Sequence, residues 1–261
     1  MISVSSNLLQ TWVIGLLWPL IRILGIIATA PIFSDRAIPN QVKLGLGLMI
    51  TLVVIPTLPQ IPQFEIFSFY GLLLLIQQLI IGLAIGFSMR LVFAAVGMAG
   101  QMISMSMGLG FAVFYDPHSQ GQSTAISQFL SLLAMLIFLS VDGHLLVVSV
   151  ISESFVSIPI ALHNGSINPM KIVLWGEVIF SAGLLLALPA IAALLITNMA
   201  LAILTRTAPQ LNIFGIGFPV TLSIGFLVLA IALQSMAKPI ENLIEQGANQ
   251  MRQIATLQQQ K

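Results

Sequence analysis

The pair of side chains best suited to catalysis in this sequence is Asp142 and His144, which lie two positions apart. A carboxylate beside an imidazole can help it to act as a general base, and a turn can bring both groups to one side of the chain. Asp142-Gly143 is itself a turn signal. A solvated pair at the tip of a turn is the more common outcome of this spacing, so we favour it over an intramembrane enzyme.

Sequence patterns of other enzymes are missing. The remaining histidines, His118 and His163, lie on separate predicted turns, and the chain has no His-Glu-x-x-His, Gly-x-Ser-x-Gly or Walker pattern. It also has no cysteine, which excludes disulfides, thiolate metal sites and thiol nucleophiles. The sequence therefore predicts no catalytic site, no cofactor and no bound metal.

Three ionisable residues, Arg22, Arg90 and Glu177, fall inside apolar runs. Charged groups at bilayer depth are costly, and they often mark the pathway of a transported solute. These three are too few and too widely spaced to predict a proton relay. They keep a small-solute or ion transporter as the alternative function.

The composition excludes a soluble globular protein. Of the 261 residues, 58% are hydrophobic and 7% are charged, whereas about 25% are charged in an average soluble domain. The net charge is only +1, from 9 Lys+Arg and 8 Asp+Glu, and these charges form no concentrated basic surface. We therefore expect membrane lipid around the chain and no nucleic acid as a partner.

Apolar runs separated by turn residues predict an all-α membrane-type protein. We expect helices near residues 8–32, 43–58, 69–106, 125–160, 171–205 and 212–237. The Asp142-Gly143 turn divides the fourth run into two short arms, which favours a helical hairpin. One kinked span with Asp142 facing a polar interior is the alternative.

Small residues predict one closely packed helix face. Gly82 and Gly86 lie one turn apart, and Ala95 and Ala99 extend the same kind of surface. Such faces allow helices to approach closely where lipid provides no hydrophobic drive. They serve packing within a chain more often than a subunit interface, and both roles stay open.

The segment over residues 98–123 has the least ordinary composition. Met98, Met102 and Met105 share a helical face, and residues 107–117 alternate glycines with bulky aromatic residues. Methionine is deformable, and glycine allows the backbone conformations that a moving loop needs. Such a segment could obstruct a pore and yield to a passing chain, although an ordinary connecting loop is the more common role for this composition.

Five stretches of the sequence, residues 30–39, 42–46, 107–117, 142–145 and 206–214, carry a resemblance to a known family. Together they resemble the FliR family of flagellar type III export-gate subunits and, more distantly, its counterparts in virulence-associated secretion systems. Chain length and helix order agree with this resemblance. It implies a non-enzymatic structural and gating subunit of a protein export channel.

The resemblance also implies partners and a location. Family members assemble with FliP and FliQ into a spiral of tilted helical hairpins around a central channel, with FlhB at the cytoplasmic entrance. The assembly belongs to the bacterial inner membrane at the flagellar basal body, and much of it is raised out of the bilayer plane. Unfolded flagellar export substrates pass through it, driven by the proton gradient and a cytoplasmic ATPase complex.

Domains and site residues follow from the same resemblance. It implies three parts: a FliP-like helical part over residues 1–165, a FliQ-like helical hairpin over 166–237 and an amphipathic tail over 238–261. The plug loop lies in the first part, near residues 106–123. The loop acts in the family as a plug, below or beside a methionine gasket supplied by FliP. The plug residues carried over are Met107, Gly108, Gly110, Phe111, Phe114 and Tyr115. The candidates for subunit contacts come from the residues themselves: Gly82 and Gly86 on the small-residue face, and Lys43 and Arg206 in predicted loops. Solvation is the more common outcome for loop charges such as the last two.

The tail after Lys238 has its own helical pattern. Pro239 is a suitable first-turn residue, and apolar residues recur near helical spacing at Ile240, Leu243, Ile244, Met251 and Ile254. Docking on a neighbouring subunit and fraying are equally expected for this tail.

Overall fold

The computed structural model describes residues 6–35, 37–58, 68–110, 124–161, 168–208, 215 and 217–255, with side chains from residue 15 onward. Within these ranges the protein is all-α and has no strand. The helices are α1 (Ser6–Thr29), α2 (Asn40–Val54), α3 (Phe69–Ser106), α4 (Ala125–Ser140), α5 (Gly143–Ser157), α6 (Pro169–Trp175), α7 (Val178–Thr207) and α8 (Phe218–Ala255), and a 3₁₀ turn (Ile55–Thr57) follows α2.

The predicted break within the fourth apolar run is confirmed. Helix α4 ends at Ser140 and α5 begins at Gly143. Asp142 between them has φ 55°, a left-handed conformation that aspartate adopts more readily than most residues. Its backbone carbonyl accepts from the amides of Leu145 (2.9 Å) and Leu146 (3.1 Å), which starts α5.

The predicted helix over 171–205 is instead two helices. Asn168 caps α6 through a hydrogen bond from the Met170 amide to its side-chain oxygen (3.0 Å), and Pro169 occupies the first turn. At the other end, the Gly176 amide bonds to Val173 O (3.0 Å), which tightens the last turn before α7. The Asn168 cap thus begins α6, and the turn at Gly176 ends it after seven residues.

The predicted helix end at 237 is wrong, because α8 continues through Pro239 to Ala255. An interior proline costs about 3 kcal/mol. Burial of apolar residues beyond the proline offsets that cost. The side chains that are at most 5% exposed are Ile240, Leu243, Ile244, Met251 and Ile254. The apolar face of the tail is therefore buried within this chain. This differs from both predictions for the tail, which were docking on a neighbouring subunit and fraying.

The chain forms two compact units, each built from several stretches of sequence. The first comprises Met1–Leu91, Asp142–Gly176 and Glu245–Lys261, and the second comprises Val92–Val141 and Glu177–Ile244. Helices α3 and α8 contribute to both. The domain boundaries predicted from the sequence, at residues 165 and 237, separate a FliP-like part from a FliQ-like part. That division stays a prediction.

In the first unit, α1 packs closely against the first half of α3. Trp18, Ile23 and Ile26 of α1 and Ile85 of α3 are fully buried. The Thr29 hydroxyl donates across the helix pair to the Leu83 carbonyl (3.3 Å). In the second unit, the rest of α3 packs on α4, where the rings of Phe93 and Phe138 meet edge to face at 5.6 Å.

Several helices have the length and composition of membrane spans. Four described helical segments pass this test, Asn40–Thr57, Phe69–Ser106, Pro169–Thr207 and Phe218–Ala255, and the bent pair α4 and α5 makes a fifth if it counts as one span. Both α3 and α8 have 38 residues, or about 57 Å of helix. Each is thus nearly twice as long as the ~30 Å hydrocarbon core requires.

Candidate functional site

The N-terminal end of the predicted plug segment is fixed by the way α3 ends. Gly108 has φ 85°, a conformation that favours glycine. The Gly108 amide bonds to Met105 O (3.0 Å) and the Leu109 amide bonds to Ser104 O (3.1 Å). These two bonds form a Schellman motif, which satisfies the last carbonyls of the helix and stops it at a defined residue.

Met107, the residue just before this stop, is fully buried. Its side chain lies against Gly225, near the start of α8. A Cβ atom built on Gly225 would come within 2.6 Å of the Met107 Cγ and Cε atoms and 2.9 Å of Sδ. A larger residue at position 225 would therefore require the Met107 side chain or the backbone to shift.

The C-terminal end of the same segment is fixed at the start of α4. The Thr124 hydroxyl caps α4 by accepting from the Ser127 amide (3.3 Å). The Ser127 hydroxyl donates to the Gly97 carbonyl of α3 (2.8 Å), and Gly100 of α3 lies so close that an added Cβ would be 2.9 Å from the Ser127 amide. The helices on both sides of the loop therefore form one tight joint.

Three of the six predicted plug residues are described, and they lie at or just after the end of α3. Met107 is buried, while Gly108 and Gly110 are half-buried. Phe111, Phe114 and Tyr115 lie outside the described residues. The plug role of all six stays a prediction.

Arg22, the first of the ionisable residues expected within spans, is a fully buried structural residue. Its Nε donates to Gln78 Oε1 (2.8 Å), Nη1 donates to Ser154 O (2.8 Å) and Nη2 donates to Ile158 O (2.9 Å). Its guanidinium carbon lies 4.3 Å from the ring centre of Phe155. The planar, five-donor head joins α1 to α3 and α5 without a carboxylate.

The other two ionisable residues are elsewhere. Arg90 and Glu177 are both exposed, and Glu177 lies in the turn before α7. Because Arg22 is committed to neutral acceptors and these two are exposed, the three do not form the buried polar pathway that motivated the transporter alternative.

Asp142 and His144 are not joined into a catalytic pair. Asp142 is exposed and its side chain makes no capping bond, and His144 Nδ1 is buried with no hydrogen-bond partner. The described part of the chain holds no group of three His, Cys, Asp or Glu residues that could bind a metal ion.

Gly82 and Gly86 serve the packing of α1 on α3. A Cβ on Gly82 would overlap the backbone carbonyl of Arg22, and one on Gly86 would overlap the Thr29 hydroxyl. Gly25 faces them from α1, with an added Cβ 3.0 Å from Leu79 O. The close approach is internal to this chain, and a subunit contact for these glycines stays a prediction.

Lys43 and Arg206 lie at helix ends and not in the loops that the sequence predicted. Lys43 is half-buried in the first turn of α2, and Arg206 is exposed in the last turn of α7, where the helix dipole favours a cation. Neither side chain is bonded to another described residue. A contact of either side chain with a partner subunit stays a prediction.

Sequence reasoning missed Gln78, Ser154, Ser127 and Gly225. Gln78 and Ser154 surround Arg22, and Ser127 and Gly225 hold the loop joint. A glutamine inside an apolar run was the one available signal. The others look ordinary in sequence because their roles depend on residues between about 30 and 130 positions away.

The helices and the site together define a class of protein. It is an all-α membrane-type chain in which Arg22 and Ser127 join helices and in which the end of α3 and the start of α4 are held close together. Its described residues show no assembled catalytic group.

Comparison with known proteins narrows this class to one family. The model of "Bacterial export proteins, family 1" matches residues 13–247. The chain is 43% identical to flagellar biosynthetic protein FliR of Pectobacterium carotovorum subsp. carotovorum, over 98% of each chain. It is 42% identical to FliR of Escherichia coli (strain K12), over 97% of each, and 30% identical to FliR of Bacillus subtilis (strain 168), over 91% of this chain and 93% of the relative. The chain belongs to this family of bacterial export proteins.

Family membership confirms the resemblance and part of the predicted function. The protein is a membrane-associated component of flagellar protein export, and it works with other components of that apparatus. Its relatives are named for flagellar biosynthesis and not for a catalysed reaction.

Proposed function

We propose that this chain is a non-enzymatic structural and gating subunit of the flagellar type III export channel. It forms part of the central pore with FliP- and FliQ-like subunits in the bacterial inner membrane at the flagellar basal body, and FlhB joins the entrance. The loop that begins at Met107 closes the pore as a plug, and unfolded flagellar subunits displace it as they pass.

The anchored joint between α3 and α4 is the observation that carries this proposal. The loop leaves α3 after a Schellman motif and enters α4 through the Thr124 cap, and Ser127 binds these helices together. A plug must stay attached while it moves aside. Fixed ends around a glycine- and aromatic-rich segment meet that requirement.

The exposed apolar surface supports lipid and sister subunits as the surroundings of the chain. Large side chains on α7 are more than half exposed, among them Leu185, Ile196 and Met199, and so are Leu227 and Ile231 on α8. Apolar areas of this extent mark membrane or protein contacts. The length of α3 and α8 suits helices that tilt or extend beyond the bilayer.

Deletion of residues 108–115 tests the plug. In complexes that still contain FliP- and FliQ-like subunits, we expect this deletion to make the gate leaky to ions, because the obstruction is shortened while both anchoring helices remain. Ion conductance of cells or of reconstituted complexes is the measurement.

Gly45→Ala is the control, since an added Cβ there meets no atom of the described residues within 4 Å. We expect normal assembly and no leak from this variant. Unchanged conductance in a correctly assembled deletion complex would contradict the plug assignment.

A further inference from the structure

An open groove lies between α7 and α8 in the second unit. Its volume is about 520 Å³, which is within the range of about 300–1,000 Å³ that ligand sites occupy. Ile231 in its wall is 65% exposed, so the chain itself leaves the groove open. The groove is lined by Pro189 of α7 and by Val228, Ile231, Ala232, Gln234 and Ser235 of α8.

The groove runs along one face of α8. Val228, Ala232 and Ser235 recur at four- and three-residue spacing and therefore share a face, which they follow for about 10 Å of helix. The lining is apolar at Val228 and becomes polar two turns later, at Gln234 and Ser235. An elongated ligand that is apolar along its length and polar at one end fits this arrangement.

A pair of charged residues continues the same face beyond the polar end of the groove. Lys238 follows Ser235 by three positions, and Glu241 follows Lys238 by three, so each lies about one turn further along α8. The Lys238 ammonium lies 2.9 Å from a carboxylate oxygen of Glu241, and the two side chains are 70% and 33% exposed. The ligand therefore meets both a cation and an anion where the groove ends.

The sequence of α8 places these charges at the depth of lipid head groups. No charged residue occurs from Phe218 to Ala237, a stretch of 20 residues, or about 30 Å of helix. This length equals the ~30 Å thickness of the hydrocarbon core. Lys238 and Glu241 follow directly, and such charges are costly in hydrocarbon and favourable at its boundary. A phospholipid beside α8 thus has its acyl chain at Val228 and its head group at Lys238.

The ion pair complements a zwitterionic head group. The Lys238 ammonium can donate to a lipid phosphate, and the Glu241 carboxylate can accept from a primary ammonium. Phosphatidylethanolamine carries both groups side by side. Phosphatidylcholine has no N–H to donate to Glu241, and phosphatidylglycerol has no cation. Charge complementarity therefore favours phosphatidylethanolamine among these three lipids.

We propose that the groove between Pro189 and the face of α8 from Val228 to Ser235 binds one phosphatidylethanolamine molecule. One acyl chain occupies the groove, and the head group contacts Lys238 and Glu241. The lipid stays with the chain in the assembled gate, where it fills a gap that the helices leave. This inference concerns α7 and α8 and does not depend on the plug function.

Photo-crosslinking tests the occupant of the groove in the complete complex. A photoreactive diazirine residue replaces Ala232, and complexes with FliP- and FliQ-like subunits are illuminated in membranes. Mass spectrometry then identifies the adduct. We expect a phospholipid on the segment over residues 228–235. An adduct with another protein subunit would overturn the proposal, because a sister helix would then occupy the groove.

Filling the groove tests the site independently. Ala232→Trp should cause loss of one phosphatidylethanolamine per copy of this chain from the purified complex, measured by native mass spectrometry. Leu227→Trp is the matched control, because it adds the same ring to α8 at a position that is 61% exposed and outside the groove, and the lipid should remain. An unchanged lipid count in assembled Ala232→Trp complexes would contradict the site.

Glu241→Gln tests the head-group assignment and also covers the case in which Ala232→Trp prevents assembly. Delipidated complexes are mixed with phosphatidylethanolamine or phosphatidylglycerol, and the bound lipid is counted. The unsubstituted complex should prefer phosphatidylethanolamine, and Glu241→Gln should lose this preference because the lipid ammonium loses its acceptor. Equal binding of the two lipids to the unsubstituted complex, or an unchanged preference in Glu241→Gln, would overturn the assignment.

Discussion

At the residue scale, two buried polar side chains of this protein, Arg22 and Ser127, join helices. Arg22 satisfies carbonyl and amide oxygens on α3 and at the end of α5, and Ser127 satisfies a carbonyl of α3. A buried cation is costly unless it is hydrogen-bonded, and neutral acceptors at all three guanidinium nitrogens, with the Phe155 ring beside them, reduce that cost without a second charge.

Arg22→Ala should destabilise the first unit, because Gln78 Oε1 and the Ile158 carbonyl lose their donor. An unsatisfied buried group costs about 1–3 kcal/mol, which gives about 2–6 kcal/mol for the two. We expect a lower thermal unfolding midpoint and less assembled complex. Arg22→Lys should recover little of the loss, since one ammonium cannot reproduce the planar fork.

Arg90→Ala is the matched control, because Arg90 is exposed and should tolerate the change. The structural role would be contradicted if the Arg22→Ala and Arg90→Ala complexes were equally stable. If, in addition, only Arg22→Ala changed transport selectivity, Arg22 would have a transport role.

At the element scale, the last helix shows which kind of interaction holds the tail. Arg252 pairs with Glu153 at 3.2 Å, but both side chains are nearly half exposed, and Gln250 makes only a long bond to the Lys171 carbonyl (3.4 Å). Exposed ion pairs contribute at most about 1 kcal/mol. Burial of Met251 and Ile254 is therefore the main stabilising contribution.

Met251→Ala should release the tail, with a cost of about 2–5 kcal/mol for a buried methionine. Glu153→Gln, which removes only the ion pair, should cost at most about 1 kcal/mol and should lose that effect at high salt. Limited proteolysis after residue 245 in membranes measures both. Greater cleavage in Glu153→Gln than in Met251→Ala would mean that charge, and not burial, docks the tail.

At the scale of the whole molecule, the chain has more apolar surface than its own packing covers. Only 17% of the most apolar window of α8 is buried, compared with 56% for α3. Lipid and sister subunits must cover the rest, because water cannot solvate it at low cost.

This exposed apolar surface predicts that the chain is stable only in a complex with other subunits. When it is produced alone, we expect it to aggregate or to be degraded, and with FliP- and FliQ-like subunits we expect it to co-purify in one membrane complex. Quantitative recovery in each case is the measurement. A stable, solute-transporting monomer in liposomes would contradict the export-subunit function and favour the transporter.

The sequence by itself determined the class of protein, most helix positions and the break at Asp142. These depend on composition, apolar runs and turn residues, which are local properties. It could not determine that α8 continues past Pro239, since the compensating burial comes from residues distant in sequence. Nor could it distinguish an internal role of Gly82 from one at an interface, because the pattern of small residues is the same in both.

Only the tertiary structure decided what the unusual residues do. It paired Arg22 with neutral oxygens on other helices, placed Met107 against Gly225, and covered the apolar face of the tail. Each of these depends on which distant segments meet, and that is set by the packing of whole helices. A linear pattern records the capacity of a side chain to bond or pack, and the fold selects its partner.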